Sequence, residues 1–287
     1  MIFGEHSVLR KGPAVVAAVD RWLSVEIEPR NDDQIHICSS LGESSTTLEN
    51  ICLDHTFRFV SAALHTVLPP SGCSITICSQ IDPTMGLGSS ASVTVALLAA
   101  LLTWKYGSFT KENLLLLGTR TVQAVQGRGS GADIASIVYG GVISFTKDPL
   151  QATFLCPTLP IICAYSGHKT PTPTVIDYVH EREKQHPELF STIFTAIDQV
   201  THSAIAAIQT QDLALVGRLM NTADGLMQAL GVGTAALSDI CWHFRQRPTI
   251  YGAKISGSGL GDCAIGLGEH PEHKIEITPE GVCASCQ

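Results

Sequence analysis

One glycine-rich segment, PTMGLGSSASVTVALLAALL at residues 83–102, decides the fold of this chain. Its two glycines and two adjacent serines lead into a run that is apolar on almost every side, which predicts a buried helix over 89–106. Glycines let a backbone approach a ligand closely, and the start of a helix offers free N–H groups and the positive end of the helix dipole. The segment therefore predicts either a phosphate-binding loop or an ordinary glycine-rich turn with serine caps.

Composition narrows the class of protein. The 287 residues are 45% hydrophobic and only 15% charged, which is typical of a well-buried globular chain long enough for two closely packed lobes. The net charge of -8 gives a nucleic-acid partner no electrostatic support. The longest apolar run, near 93–102, is far shorter than the ~20 residues that span a bilayer. We therefore expect a cytoplasmic protein with neither a nucleic-acid nor a membrane partner.

The ten cysteines are scattered, which favours free thiols in a cytosolic protein over a disulfide framework. The cysteines that lie inside apolar segments, and are expected to be buried, include Cys78, Cys156, Cys163 and Cys263. A lone CxxC at Cys283 and Cys286 is weak evidence for zinc because it has no second pair, so we expect an ordinary tail.

Hydrophobic patterning predicts a strand-rich first half and a helical second half that closes with strands. Strands are expected at 13–28, 34–38, 73–79, 139–145, 161–165, 250–255, 263–267 and 274–277. Helices are expected at 89–106, 111–125, 173–184, 187–209, 211–230 and 234–246. Prolines break the pattern between 147 and 160, which indicates two α+β lobes, residues 1–150 and 151–287.

Two further glycine-rich loops carry candidate chemistry. In QGRGSGADIASIVYGG, residues 126–141, Asp133 follows a tight turn and precedes an apolar, strand-like segment. Such a carboxylate beside phosphate-binding backbone can orient or deprotonate a hydroxyl nucleophile, and the alternative is an Asp that caps a helix through 134–138. In KISGSGLGDCAIGLG, residues 254–268, a glycine-rich turn joins two strands. The chain has no GxxxxGK[ST] segment, so none of these loops is a Walker A loop.

Taken together and in this order, the three loops resemble the motifs of the GHMP small-molecule kinases. Residues 83–91, PTMGLGSSA, are similar to the phosphate loop of that family, P-x-G-x-G-L-G-S-S-A, except that Met85 stands where a small residue is usual. Residues 254–263 are similar to its third motif.

Within the family, two branches share features with this chain. The start, GEHSVL at 4–9 followed by GPA at 12–14, resembles the mevalonate kinases, as does CAIGLG at 263–268. QG at 126–127 and GDC at 261–263 resemble the phosphomevalonate kinases instead.

The resemblance implies an α+β, two-lobe GHMP kinase fold, with a ribosomal-protein-S5-like N-terminal lobe and a ferredoxin-like α/β C-terminal lobe. It also implies ATP and Mg²⁺ as cofactors and transfer of the γ-phosphoryl group to a hydroxyl group. Mevalonate is the expected acceptor, with phosphomevalonate or the acceptor of another GHMP kinase as the alternative, and a homodimer is the family expectation.

The resemblance further implies roles for particular residues. Those expected to bind ATP and its phosphates are Pro83, Gly86, Leu87, Gly88, Ser89, Ser90, Ala91, Gly257 and Gly259. Ser90 is also the expected Mg²⁺ ligand, and Asp133 is the expected catalytic carboxylate. Those expected to bind the acceptor are Glu5, His6, Lys169 and Thr170, although Lys169 also fits a solvated surface lysine.

Two features depart from the family pattern. Family members carry a strand with A-P-G-K before the Gly-Glu-His triplet, whereas Met1 falls after the point where that lysine would lie; we expect a truncated sequence or a misplaced start. Mevalonate kinases also carry a magnesium-binding glutamate eleven residues before the catalytic Asp, where this chain has Val122. A degenerate, non-catalytic member that binds nucleotide is therefore the rival interpretation.

Overall fold

The computed structural model describes residues 1–81 and 88–286, which form two compact units. The first unit contains Met1–Asp20 and Gly140–Glu280, and the second contains residues 21–81, 88–139 and 281–286. The predicted lobes follow a different division of the chain and stay a prediction. In the described ranges, no helix combines the length and the apolar character that crossing a membrane requires.

The second unit is built on a mixed sheet with helices packed against it. Its strands, in the order β2-β5-β3-β4, are β2 Leu23–Pro29, β3 Gln34–Ser39, β4 Gly42–Thr47 and β5 Cys73–Ser79. Its helices are a 3-10 helix at His55–Phe57, α1 Arg58–Thr66, α2 Ser89–Tyr106, α3 Lys111–Gln126 and α4 Ala132–Tyr139. Strands β3 and β5 are parallel, and α1 lies in the crossover connection that a parallel pair needs.

Helix α2 lies where the sequence predicts it, and its packing explains why its sequence is apolar all round. It contacts α1, α3, α4 and β2, so few of its side chains meet solvent. Glycines in the left-handed conformation flank it, Gly88 at φ 80° and Gly107 at φ 81°. Thr110 then caps α3 by accepting a hydrogen bond from the Asn113 N–H at 3.2 Å, as predicted.

The segment after Asp133 is a helix, which agrees with the helix considered through 134–138 and not with the strand-like alternative. Helix α4 spans Ala132–Tyr139, and the strand expected at 139–145 starts only at Val142. A short apolar run fits a buried helix and a buried strand equally well, and here packing against α2 and α3 decides. Asp133 lies in the first turn of this helix and not at its N-cap, and its carboxylate accepts a hydrogen bond from the Ile134 N–H at 3.0 Å.

The first unit combines antiparallel sheets with long helices. One sheet, in the order β1-β6-β7, contains β1 Ala14–Ala17, β6 Val142–Lys147 and β7 Leu150–Cys156. The other, in the order β11-β8-β10-β9, contains β8 Ile161–Tyr165, β9 Ile250–Ser256, β10 Cys263–Gly268 and β11 Lys274–Ile275. The helices are a 3-10 helix at Ser7–Arg10, α5 Thr172–Gln185, α6 Pro187–Gln209, α7 Leu213–Leu230 and α8 Ala235–Arg245.

Helix α7 covers the free edge of strand β9. The Ala253 N–H donates to Asn221 Oδ1 at 3.0 Å. The Ile255 N–H donates to Asp224 Oδ1 at 3.1 Å. Arg245 of α8 donates to Asp224 Oδ2 and to the Ala253 carbonyl, both at 2.6 Å. These side chains form hydrogen bonds with backbone groups of an edge strand that could otherwise pair with another strand. They also hold β9 in place where it leads into the third glycine-rich loop.

The cysteines are free thiols, as the sequence indicates. Of the four expected to be buried, Cys263 is buried and Cys156 and Cys163 are half-buried. Cys78 is exposed, which corrects the expectation, because β5 alternates its faces and places this side chain toward solvent.

Gly217→Ala is expected to destabilise the protein, whereas Gly225→Ala on the same helix is not. A Cβ at Gly217 would lie 2.4 Å from backbone atoms of Tyr251, so α7 would have to move away from β9, and such overpacking costs about 1–3 kcal/mol. Nothing lies within 4 Å of a Cβ at Gly225, where alanine improves helix propensity by up to ~1 kcal/mol. Urea unfolding measures both variants, and equal stabilities would contradict the close contact.

Candidate functional site

The first turn of α2 offers N–H groups to a ligand. Its N-cap is Gly88, which has no side chain to cap the helix, and Ser89 and Ser90 follow, both half-buried. Unpaired N–H groups and the helix dipole favour an anion such as a phosphate at this position. Ala91 is buried and anchors the turn in the core. The remaining predicted residues of this loop, which lie outside the described residues, are Pro83, Gly86 and Leu87.

Asp133 lies at the start of α4 in the same unit. The turn before it contains Gly129 and Gly131, with φ of 153° and 86°. The Asp133 side chain is exposed, yet crowding by protein atoms removes enough water to raise the pKa of its carboxyl group, and the hydrogen bond from the Ile134 N–H opposes this shift. An accessible carboxylate with a raised pKa is well matched to taking a proton from a hydroxyl group.

The third glycine-rich loop, residues 256–262, belongs to the first unit and has an unusual backbone. Gly257 and Gly259 have φ of 84° and 88°, and a Cβ at Gly259 would lie 2.6 Å from Val232. Leu260 and Asp262 are also left-handed, with φ of 56° and 60°. Residues other than glycine seldom adopt this conformation, and they persist in it where the surrounding structure holds them, often at functional sites.

The N-terminal segment, residues 1–6, is hydrogen-bonded to this loop. The Ser256 hydroxyl donates to the Met1 carbonyl at 2.8 Å, and His6 Nε2–H donates to the Ser258 carbonyl at 2.8 Å. A carbonyl oxygen only accepts, so this contact assigns a proton to Nε2 of His6. Burial lowers the pKa of His6, although the bond to Ser258 opposes the shift, and the ring is therefore neutral near pH 7.

Glu5 forms a buried ion pair with Lys254 of strand β9. The Lys254 side chain is 0% exposed and the Glu5 side chain 3%. The Lys254 ammonium donates to Glu5 Oε1 and to the carbonyl of Ile255. Glu5 therefore neutralises a buried charge next to the third loop, and its predicted contact with the acceptor stays a prediction.

The predicted acceptor residues Lys169 and Thr170 border the same loop. Thr170 Oγ1 donates to the Leu260 carbonyl at 2.6 Å, and the Asp262 N–H donates to the His168 carbonyl at 2.7 Å. Burial raises the pKa of Asp262, while the electrostatic effect of Lys169 and His168 works against this rise. Lys169 itself is an exposed residue.

The structure thus groups the predicted residues in two sets. Those around the third loop of the first unit are Glu5, His6, Lys169, Thr170, Gly257 and Gly259. Those at helix starts of the second unit are Gly88, Ser89, Ser90, Ala91 and Asp133. The sequence motifs did not single out Lys254, whose signal is a lone charge in a mostly apolar strand. Nor did they single out Asp262, whose signal is a carboxylate inside a glycine-rich turn.

Comparisons with known proteins identify the family. The model of the GHMP kinases N terminal domain matches residues 52–141, and that of the GHMP kinases C terminal matches residues 204–280. A curated mevalonate kinase from Pyrococcus furiosus is 32% identical to this chain, over 96% of this chain and 88% of the relative. The predicted family and kinase class are confirmed.

Solved structures share the fold. Mevalonate kinase from Methanococcus jannaschii superimposes with a TM-score of 0.79 at 24% identity, covering 93% of this chain and 87% of that protein. Phosphomevalonate kinase from Streptococcus pneumoniae, in complex with phosphomevalonate and AMPPNP, superimposes with a TM-score of 0.80 at 18% identity, covering 94% and 90%. These similarities confirm the predicted GHMP kinase fold.

Glu5→Gln and Lys254→Met are each expected to destabilise the protein strongly, and together less than additively. Either single change leaves an uncompensated buried charge, which costs about 3–5 kcal/mol, whereas the double change removes both charges. Chemical unfolding of the four proteins gives the coupling free energy. The matched control is the exposed pair Glu181 and Lys184 of α5, where the same substitutions should change stability little. Additive losses at Glu5 and Lys254 would contradict the buried pair.

Proposed function

Because the chain belongs to the GHMP kinase family, we propose that it is a mevalonate kinase, which transfers the γ-phosphoryl group of ATP to the primary hydroxyl group of mevalonate. The observation that carries this choice of acceptor is the similarity to curated mevalonate kinases over nearly the whole chain. The GEHSVL start, with its buried Glu5 and His6, supports the same branch of the family.

The first turn of α2 is the proposed site for the phosphates of ATP. Its backbone N–H groups supply hydrogen bonds that need no proton transfer, and the serine hydroxyls add donors. In phosphoryl transfer most of the catalysis comes from positioning and charge stabilisation, so a rigid helix start is an effective element for this task. Gly257 and Gly259 are proposed to bring the third loop to the nucleotide.

Mg²⁺ is proposed to accompany ATP. The Ser90 hydroxyl provides the hard oxygen ligand that this ion prefers, whereas Val122 is a buried apolar residue of α3 and offers none. Mg²⁺ usually keeps several waters and binds through one or two protein oxygens together with substrate phosphates, so this limited set fits the ion. When bound, the ion neutralises negative charge on the phosphate oxygens.

Asp133 is the proposed proton acceptor. As the mevalonate oxygen bonds to the γ-phosphorus, the bond from that phosphorus to the bridging β–γ oxygen breaks and ADP leaves. The hydroxyl proton passes to the Asp133 carboxylate, whose raised pKa increases its basicity. We propose that Lys169, an exposed residue beside the third loop, binds the carboxylate of mevalonate.

A panel of acceptors tests the assignment. Purified protein is supplied with ATP, Mg²⁺ and either mevalonate, phosphomevalonate, homoserine or galactose, and ADP release is measured. We expect turnover with mevalonate. Turnover with phosphomevalonate alone would move the chain to the other branch, and turnover with only homoserine or galactose would reject both. Nucleotide binding without turnover of any acceptor would support the non-catalytic member.

Asp133→Asn is expected to lower kcat by about 10²–10⁴-fold, because the amide cannot accept the hydroxyl proton. Binding of a non-hydrolysable ATP analogue, measured by calorimetry, should be retained, since the first turn of α2 is unchanged. The control is Asp239→Asn on the exposed face of α8, which should leave kcat unchanged. Near-full activity of Asp133→Asn would exclude this residue as the proton acceptor.

The pH dependence follows from the same carboxylate. Only ionised Asp133 accepts a proton, so kcat/KM should fall as pH falls through its pKa, which lies above the ordinary value of about 3.9. The residual activity of Asp133→Asn should not show this fall in kcat/KM at low pH. Circular dichroism over the same pH range shows whether the loss of kcat/KM at low pH comes from unfolding. If folded protein loses kcat/KM with an apparent pKa at or below the ordinary value, the raised pKa is contradicted.

A further inference from the structure

Potential metal ligands converge in a tight turn of the first unit that the proposed kinase function does not use. The turn is His270-Pro271-Glu272-His273, between β10 and β11. One ring nitrogen of each histidine and one Glu272 carboxylate oxygen all lie within 4.8 Å of one another. His270 is buried, His273 is half-buried and Glu272 is exposed, so the group is open to solvent on one side.

Backbone hydrogen bonds hold both ends of the turn without a bound ion. The Gly268 N–H donates to the Pro160 carbonyl at 2.7 Å, and the Cys163 N–H donates to the His273 carbonyl at 2.8 Å. The rings of His270 and His273 stack with centroids 5.0 Å apart, and an edge contact at 5.6 Å places the His273 ring against Phe244. Ligands held close together in this way lose little conformational entropy on binding.

The ligand side chains of the turn are not paired with one another, although His270 Nδ1 accepts a hydrogen bond from the Glu272 backbone N–H. Within the part of the chain that the structure describes, the side chains of His270, Glu272 and His273 form no hydrogen bond or ion pair with one another. The neighbouring Lys274 directs its ammonium to Glu276 at 3.0 Å, so it does not neutralise Glu272. The carboxylate charge therefore remains to attract a cation.

We propose that His270, Glu272 and His273 bind a divalent transition-metal ion, with Zn²⁺ as the best fit. Two imidazoles and one carboxylate form a ligand set typical of Zn²⁺, and water completes the tetrahedron. Mg²⁺ prefers oxygen ligands, so the ion proposed for the nucleotide does not compete for this turn. The site is independent of the proposed kinase activity.

Binding has a structural signature at Glu272. The Glu272 N–H donates to His270 Nδ1 at 3.2 Å. A neutral imidazole carries one proton, so ligation through Nε2 places that proton on Nδ1 and breaks this bond, whereas ligation through Nδ1 replaces it. In either case the Glu272 backbone amide loses its acceptor, and its NMR resonance should shift on binding.

Titration of the chelator-treated full chain with Co²⁺, followed by visible absorption, tests the proposal. We expect saturable, one-to-one binding that gives the d–d bands of an ion with nitrogen and oxygen ligands. Thiolate charge-transfer bands should be absent. Their absence distinguishes the proposed site from binding by any of the ten cysteines. His273→Ala and Glu272→Gln should each weaken binding at least about tenfold. The matched controls are His202→Ala and Glu280→Gln, at exposed positions, and both should bind Co²⁺ as the parent does.

Thermal melting separates loss of a ligand from loss of the fold. Without metal, the variants should have the same Tm as the parent. Zn²⁺ should raise the Tm of the parent but not that of Glu272→Gln. The proposal is overturned by thiolate bands, by no saturable spectrum, by unchanged affinity of His273→Ala, or by a Glu272 amide resonance that does not move.

Discussion

A buried lysine ammonium needs an opposite charge, and this constraint organises the N-terminal part of the first unit. Lys254 points into the core from strand β9, where withdrawal of water from its charge costs several kcal/mol unless an anion pairs with it. Glu5 is that anion. The pair holds the Gly-Glu-His triplet against the strand that leads into the third glycine-rich loop, and His6 and Met1 then reach the loop with hydrogen bonds of their own.

The same strand is held from its outer edge by helix α7. Asn221 and Asp224 accept the backbone N–H groups that a neighbouring strand would otherwise take, and Gly217 lets the helix approach β9 closely. A strand restrained on both sides can support a loop with left-handed residues such as Asp262. The unusual backbone of the loop is therefore a consequence of the rigid elements around it.

Predictability differed between elements for physical reasons. The long helices were predictable because their apolar residues recur over many turns and their ends carry caps such as Thr110. Helix α4 stayed open between a helix and a strand because eight residues are too short for periodicity to separate a buried helix from a buried strand. Strand β4, GESSTT, was missed because its polar side chains hide the alternation of a strand, and it forms by pairing with β3.

The sequence by itself determined the family, the positions of the glycine-rich loops and the candidate roles of Ser90 and Asp133, because these depend on motifs whose residues lie close together along the chain. Only the tertiary structure decided that Glu5 is paired with Lys254, 249 residues away, and that His6, Thr170 and Asp262 meet at one loop. Burial and pairing of this kind arise from packing between distant segments, which local patterns of residues do not encode.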